Sequence, residues 1–251
     1  MFVQLDYTLS FQAPSHFGTG TREGLIDRTV IRDAGNYLYV PASTFKGVLR
    51  EHCEHLCHFY AQGDQQQKRA RSPHNADATL DDFSGTPTLI NSIFGSSLVP
   101  GEMLFSDARQ PKQTRREYKD AQVSVFTQVR IDRLSQTAVG EALYTSQFGI
   151  RDLIFAGHIT GRLDSFSLPE LARSVGESVL TPTGSLLLLL AGLLLLERLG
   201  GNKSAGKGQC QCEIDRLALD RQFCDKRIWR AWLEKLDVLG DYSETEKGLL
   251  A

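Results

Sequence analysis

The sequence predicts an α+β protein in which helices cover one face of an antiparallel sheet. Two observations support this fold class. The N-terminal residues Val3, Leu5, Tyr7, Leu9 and Phe11 alternate with polar residues, which is typical of a half-buried strand. Further along the chain, segments with helical apolar spacing alternate with strand-like segments in the order strand, helix, strands, strand, helix, strand.

Composition limits the functional classes. The chain has 251 residues, 41% of them hydrophobic, and a formal net charge of -2. This charge excludes a protein that coats nucleic acid by bulk charge, so local basic patches would have to hold any polyanion. Five cysteines without a secretory signal indicate reduced thiols in a cytoplasmic protein. The apolar run 186–196 is shorter than the roughly 20 residues that cross a bilayer, so we expect no membrane association.

The first half of the chain continues from the strand through a loop to a short strand at residues 37–40 and a helix. Pro41 precedes this helix, and Ser43 is a plausible N-cap. Lys46 and Arg50 share a face that lies off the apolar stripe. That stripe comprises Phe45, Val48, Leu49, Leu56 and Phe59.

The middle of the chain contains a polar insertion and a basic projection. Residues 62–87 are polar and irregular, which predicts an exposed insertion. Residues 109–133 are the most basic segment of the chain, and apolar residues alternate over 123–131, which indicates a hairpin arm. The basic projection would extend over about residues 110–150. Residues 134–150 would form its loop and return strand.

The C-terminal part contains a core strand (153–163), a leucine helix (185–199), a glycine- and lysine-rich loop (200–208), a strand (209–219) and an amphipathic helix (225–238). The complete order favours a ferredoxin-like βαββαβ core with long insertions. We treat residues 1–251 as a single domain.

Two segments have the composition of a phosphate-binding surface. Residues 14–50 place Asp27 in a loop that leads to a helix start with Lys46 and Arg50. The Gly/Lys loop (residues 200–208) nearly matches a Walker A motif, but Gly208 replaces the magnesium-binding Ser or Thr. It also follows a helix instead of a strand, which argues against nucleotide hydrolysis. Its glycines still allow close backbone approach to a phosphodiester, although a flexible turn is equally consistent.

A third cluster has metal-binding residue types. His52, Cys53, His55, Cys57 and His58 lie on one helix, and His74 is a further candidate ligand. There is no C-x-x-C pair and no obvious fourth ligand. We therefore interpret this cluster as exposed histidines beside core cysteines and not as a zinc site.

Four segments resemble the RAMP superfamily of CRISPR-associated proteins. They are VPASTFKGVLR, the preceding GLIDRTVIRDAGNYLYVPAST, VRIDRLSQTAVGEALYTSQF and GGNKSAGKGQC. Together they are similar to backbone subunits of type III, RNA-targeting effector complexes. The resemblance implies a modified ferredoxin-like, RNA-recognition-type palm with an inserted thumb hairpin. It also implies that copies stack head to tail along a guide RNA and that each thumb displaces one nucleotide of the guide–target duplex.

The resemblance further implies that this antiviral-defence protein is an endoribonuclease within the complex. Asp27 matches the aspartate that cuts target RNA in catalytic members, with a divalent ion, magnesium or manganese, as cofactor. Asp27 could bind this metal ion or accept the proton of the 2′-hydroxyl. The expected RNA-binding residues are His16, Gly18, Arg28, Ser43, Lys46, Gly47, Arg50, Arg130, Arg133, Gly201, Lys203, Ser204, Gly206 and Lys207. The expected partners are guide RNA, target RNA, further copies of the chain, and the large, small and guide 5′-end-capping subunits.

Two alternatives remain within this superfamily. The chain could be a backbone subunit that binds guide RNA without cutting, with Asp27 structural. It could also be a guide-processing endoribonuclease, although the thumb-like projection argues against this. Outside the superfamily, a generic RNA-binding module would form no filament.

Overall fold

The computed structural model describes residues 1–60, 89–96, 100–115, 119–163 and 182–239. The insertion predicted at 62–87 lies outside these described residues. The described strands are β1 (Phe2–Phe11), β2 (Tyr39–Val40), β3 (Met103–Phe105), β4 (Ala108–Arg109), β5 (Val123–Ile131), β6 (Ala138–Gly149), β7 (Ile154–Arg162), β8 (Cys210–Leu219) and β9 (Gln222–Cys224). The described α-helices are α1 (Ala42–Tyr60), α2 (Leu89–Phe94), α3 (Gly184–Leu194) and α4 (Lys226–Leu233).

The main sheet is antiparallel and has β1 at its centre. β1 pairs with β7 on one side and with β8 on the other. β3 and β4 pair with the far side of β7, and β9 pairs with β8. The resulting order β4–β7–β1–β8 is that of a ferredoxin-like βαββαβ core, which confirms the predicted fold class.

Helices cover one face of this sheet. The odd-numbered residues of β1 from Val3 to Phe11 are buried beneath them, while Gln4 and Asp6 on the opposite face are exposed. α3 lies at the centre of the helical layer, packed against α1, α2, α4 and β8. Its leucines 186–190 are fully buried because neighbours surround the helix on all sides. The Oγ1 of Thr183 accepts a hydrogen bond from Leu186 N at 3.2 Å and caps the helix.

The strands β5 and β6 form a separate two-stranded sheet, the β5–β6 hairpin. Its register runs from Val123 opposite Gly149 at the root to Ile131 opposite Ala138 near the far end. Thr127 and Thr145 face each other between these ends. The hairpin lies in the region where the sequence predicted a basic projection.

Two details of α1 differ from the sequence prediction. The helix begins at Ala42, so Ser43 is inside it and is not the N-cap. Instead, Asp107 Oδ1 accepts the hydrogen bond from Ala42 N at 2.9 Å, and a partner so distant in sequence is invisible to local capping rules. Phe59 was assigned to the apolar stripe, but it is 77% exposed because it lies near the end of the helix.

The five cysteines are free thiols. Burial raises the pKa of the Cys53 thiol well above its ordinary value and raises the pKa of Cys57 to about 12. Among the described residues, no group of three or more His, Cys, Asp or Glu side chains could hold a metal ion. His55 and His58 are exposed and Cys53 is buried, whereas His52 and Cys57 are half-buried. His74 lies outside the described residues.

Across the described ranges, no helix has both the length and the apolar character that a membrane span requires.

Two helical glycines give a matched test of the packing. A Cβ on Gly192 of α3 would lie 2.6 Å from Cys53 Sγ, whereas a Cβ on Gly47 of α1 would meet nothing within 4 Å. We expect Gly192→Ala to lower the free energy of unfolding by about 1–3 kcal/mol through overpacking. Gly47→Ala should raise it by up to about 1 kcal/mol. Urea unfolding of both variants checks this, and equal midpoints would contradict the described packing of α1 on α3.

Candidate nucleic-acid interface

The β1–β2 loop (residues 12–38) attaches to the outer edge of β6 by backbone hydrogen bonds. Ser15 and Gly149 exchange two such bonds, of 3.0 and 2.7 Å. Further along β6, Gln147 N donates to Arg28 O at 2.9 Å, and Asp27 N donates to Thr145 O at 2.9 Å. The loop therefore adds an irregular third strand to the hairpin, and the register of β6 fixes the position of Asp27.

Asp27 lies at the base of a tight turn within this loop. Glu23 and Ile26 exchange two backbone hydrogen bonds of 3.0 Å, and Gly24 supplies the positive φ of 57° that the two-residue connection requires. Asp27 Oδ2 accepts a hydrogen bond from Thr145 N at 2.9 Å, and its Oδ1 lies 3.3 Å from Arg22 Nη2. The Asp27 side chain is 29% exposed, so the carboxylate is both fixed and accessible.

Three threonines hold the loop together. Thr19 Oγ1 lies 2.8 Å from Thr21 Oγ1 and 2.6 Å from Thr29 Oγ1. Thr29 Oγ1 also donates to Thr21 O at 3.1 Å. These hydrogen bonds join the two arms of the loop on either side of the turn, which restricts the movement of Asp27.

His16 lies beside the same strand edge. Its Nδ1 is 2.7 Å from Gln147 O, and because a carbonyl oxygen only accepts, Nδ1 carries the proton. The Nε2 atom faces Gly18, where an added Cβ would lie only 2.8 Å away. Gly18 is thus required by the position of the imidazole. Gln147 and Thr145 are two residues apart on β6, so the points at which His16 and Asp27 contact this strand lie about 7 Å apart.

The Gly/Lys loop packs against residues 14–17. Gly201 N donates to His16 O at 2.8 Å, and Gly208 N donates to Pro14 O at 2.8 Å. Gly200 has a φ of 92°, and an added Cβ would lie 2.6 Å from His16 O, so this close approach requires glycine. Ser204 and Gly206 are exposed on the other side of the loop.

The two lysines of this loop point in different directions. Lys207 Nζ lies 4.6 Å from the ring centroid of Phe126 and 5.3 Å from that of Phe148, at the root of the hairpin. Lys203 Nζ lies 3.9 Å from Glu51 Oε2 on α1. The Gly/Lys loop thus contacts the helical layer through Lys203 and the root of the hairpin through Lys207.

One face of the hairpin is aromatic. The register places Phe126, Tyr144, Ser146 and Phe148 on the same face. The Arg28 guanidinium lies 5.4 Å from the centroid of Tyr144, so Arg28 and Lys207 both lie over aromatic rings. Phe126 and Tyr144 were not among the predicted residues, because their shared face depends on the pairing register of two strands.

Other predicted RNA-binding residues lie away from this surface. Lys46 Nζ lies 5.6 Å from the ring centroid of Phe105 in β3. Burial and the neighbouring Arg50 lower the pKa of Lys46. Around the axis of α1, Lys46 and Glu51 are about 140° apart, so Lys46 and Lys203 occupy different sides of the helix. Ser43 and Gly47 are exposed near the start of α1.

Arg50 makes intramolecular contacts. Its Nε donates to Glu54 Oε1 at 2.8 Å, and its Nη1 donates to Gly95 O at 2.8 Å, directly after α2. The Arg50 side chain is only 15% exposed. These contacts indicate that Arg50 joins α1 to the end of α2; direct RNA contact by Arg50 remains a prediction.

Arg130 and Arg133 are exposed near the far end of the hairpin. Thr127 of β5 lies opposite Thr145, the β6 residue that Asp27 contacts. Arg130 is three residues beyond Thr127, so it lies about 10 Å further along the strand. Asp132 Oδ1 shapes the turn by accepting hydrogen bonds from Leu134 N and Ser135 N at 2.7 and 3.2 Å. These two arginines form a basic group that is separate from Lys207 at the root of the hairpin.

The comparisons with known proteins identify the family. The model of the RAMP superfamily matches residues 8–211, a range that includes every candidate site residue described above. No curated protein matches the chain.

Arg50 and Lys46 are expected to respond differently to truncation. Arg50→Ala removes charge-assisted hydrogen bonds from a largely buried site, and we expect it to lower the free energy of unfolding by about 1.5–3 kcal/mol. Lys46→Ala should leave the melting temperature nearly unchanged, because Lys46 has no ion-pair partner among the described residues. Thermal melts of both variants test this, and an Arg50→Ala protein as stable as wild type would refute the structural role.

Proposed function

The chain belongs to the RAMP superfamily, and we propose that it is a backbone subunit of a type III CRISPR effector complex that binds guide RNA and cleaves paired target RNA at regular intervals. Superfamily membership itself implies a CRISPR-associated, RNA-binding role. The observation that supports the finer assignment is the position of Asp27. Its carboxylate is fixed to the root of a projecting hairpin, beside a surface of cations and glycines.

Guide RNA would lie along this surface. Lys203 and Lys207 supply charge, and the exposed Gly206 allows the backbone of the Gly/Lys loop to approach phosphates closely. Such contacts read no bases, which suits a protein whose sequence specificity comes from guide–target pairing. A formal net charge of -2 is compatible with this role, because repeated copies along one RNA multiply a modest local positive charge.

Target cleavage would proceed by transesterification. A displaced nucleotide allows its 2′-oxygen to align with the adjacent phosphorus, and this alignment contributes much of the rate. The 2′-hydroxyl proton passes to Asp27 Oδ1 while the 2′-oxygen bonds to phosphorus. The bond from phosphorus to the 5′-oxygen breaks, and this oxygen takes a proton from water. The products are a 2′,3′-cyclic phosphate and a 5′-hydroxyl.

The residues around Asp27 do not form a protein-held metal site. One carboxylate oxygen accepts the Thr145 N–H and the other contacts Arg22, and neither of these partners can bind a cation. Within the described residues no group of three or more His, Cys, Asp or Glu side chains could hold a metal ion. A magnesium or manganese ion would instead be held largely by RNA phosphates, a common arrangement for magnesium, and would neutralise phosphate charge there. Asp27 carries out the proton transfer.

The second candidate is a backbone subunit that binds guide RNA without cutting. The contacts of Asp27 with Thr145 and Arg22 favour this second candidate. Together they satisfy both carboxylate oxygens, as is expected for an aspartate with a structural role. In either case we propose the same partners: further copies of the chain and the large, small and guide-capping subunits. Co-purification followed by sequencing of bound RNA tests this shared part, and RNA without CRISPR repeats would contradict it.

The Asp27→Asn substitution separates the two candidates. Asparagine retains an oxygen that accepts the Thr145 N–H but cannot take a proton, so we expect a decrease in cleavage of about 100-fold or more with target binding unchanged. Single-turnover cleavage by the assembled complex is the measurement. Asp33→Asn is the control in the same loop, because Asp33 accepts hydrogen bonds from Gly35 N and Tyr37 N and should not affect cleavage. Undiminished cleavage by Asp27→Asn would assign Asp27 a structural role.

Salt titration tests the basic surface. Lys207→Ala should weaken guide binding to a similar extent for all sequences and reduce the log–log salt slope by about 0.7. Lys226→Ala on α4 is the control and should leave the slope unchanged. Filter binding over a range of potassium chloride concentrations measures both, and an unchanged slope for Lys207→Ala would exclude Lys207 from phosphate contact.

A further inference from the structure

Arg22 faces Asp27 across the two-residue turn at Gly24 and Leu25. Glu23 and Ile26 form the antiparallel bridge that closes this turn. The next pair outward in this register is Arg22 and Asp27, whose Nη2 and Oδ1 atoms are 3.3 Å apart. The contact is therefore set by the backbone of the turn as well as by charge attraction.

The two partners differ in how firmly they are held. Asp27 is anchored to β6 through its backbone N–H and its Oδ2 atom. The Arg22 side chain is 80% exposed, and within the described part of the chain Asp27 is its only charged partner. An exposed arginine on a long side chain can move by several ångströms while the anchored carboxylate stays in place.

From this geometry we propose that Arg22 is a further catalytic residue, one that binds the non-bridging oxygens of the scissile phosphate. The proposal rests on the proposed cleavage function. Arrival of the phosphate draws the guanidinium from Asp27 to the phosphate oxygens, where its planar fork binds two oxygens at once. The same movement frees Asp27 Oδ1 to accept the 2′-hydroxyl proton.

This exchange of partners matches the charge changes of the reaction. Attack of the 2′-oxygen builds negative charge on the non-bridging oxygens, which a positioned guanidinium stabilises. Proton transfer then neutralises the carboxylate that Arg22 has left. The bonds made and broken are those of the transesterification described above, and no further reactant is needed.

Arg28 is less suited to this role although it is adjacent to Asp27. Its backbone N–H and carbonyl are both bonded to the edge of β6, and its guanidinium lies over the ring of Tyr144. Arg22 has neither constraint. Of the two arginines that flank the turn, Arg22 alone combines contact with the carboxylate and freedom to leave it.

The test compares Arg22→Ala, Arg22→Lys and Asp27→Asn in the complete complex assembled on guide RNA. We expect Arg22→Ala to slow single-turnover cleavage about 100-fold, with target affinity within about twofold of wild type. Arg22→Lys should recover part of the rate, and guanidinium ion added to the reaction should partly rescue Arg22→Ala but not Asp27→Asn. Arg32→Ala removes the same charge from the same loop, where Arg32 contacts Asn36, and should cleave normally.

The outcomes separate the two proposals. If Arg22→Ala cleaves at the wild-type rate while Asp27→Asn does not, the role of Arg22 is refuted and the proposed function stands. If both variants cleave at the wild-type rate, the catalytic assignment of Asp27 fails as well. A loss of cleavage that follows a parallel loss of target affinity, without guanidinium rescue, would make Arg22 a binding residue and would also overturn the proposal.

Discussion

The candidate site depends on the backbone pairing between the β1–β2 loop and the outer edge of β6. An isolated two-stranded hairpin is at best marginally stable in water, whereas three paired strands with packed side chains can hold their shape. The bonds from Ser15, Asp27 and Arg28 to β6 provide this third strand and attach the hairpin to the palm. Because a strand register has a fixed repeat, the same bonds determine the spacing of His16 and Asp27 along the edge.

Electrostatic organisation at this site is local. The cations lie over aromatic rings or beside single carboxylates: Lys207 over Phe126, Arg28 over Tyr144, Lys203 beside Glu51. Contacts of this kind hold long side chains in place at a modest cost in free energy when they are released to a phosphate. The protein thus orders individual cations without a large net charge, which limits unspecific attraction to nucleic acid.

Periodicity in the sequence predicted the elements that pack by a regular repeat: β1, the hairpin arm, the leucine helix and the fold class. The sequence prediction was wrong where the deciding residue is distant in sequence: Asp107, and not Ser43, caps the start of α1. The contact between Arg22 and Asp27 was also not predicted, although the Gly24 turn is a local signal that would place residues 22 and 27 opposite each other. The aromatic face of Phe126 and Tyr144 required the register of two strands, which composition alone does not specify.

Because Asp27 is attached to β6, the length of the hairpin and the position of the Asp27 carboxylate are independent of each other. The carboxylate is level with Thr127 and Thr145, below the part of the hairpin that carries Arg130 and Arg133. Lengthening or shortening the hairpin beyond this level would change how far the projection reaches and leave the carboxylate where it is. The reach of the hairpin and the position of the Asp27 carboxylate can therefore diverge independently among related chains, with the distal arm free to accumulate insertions while the root is held constant.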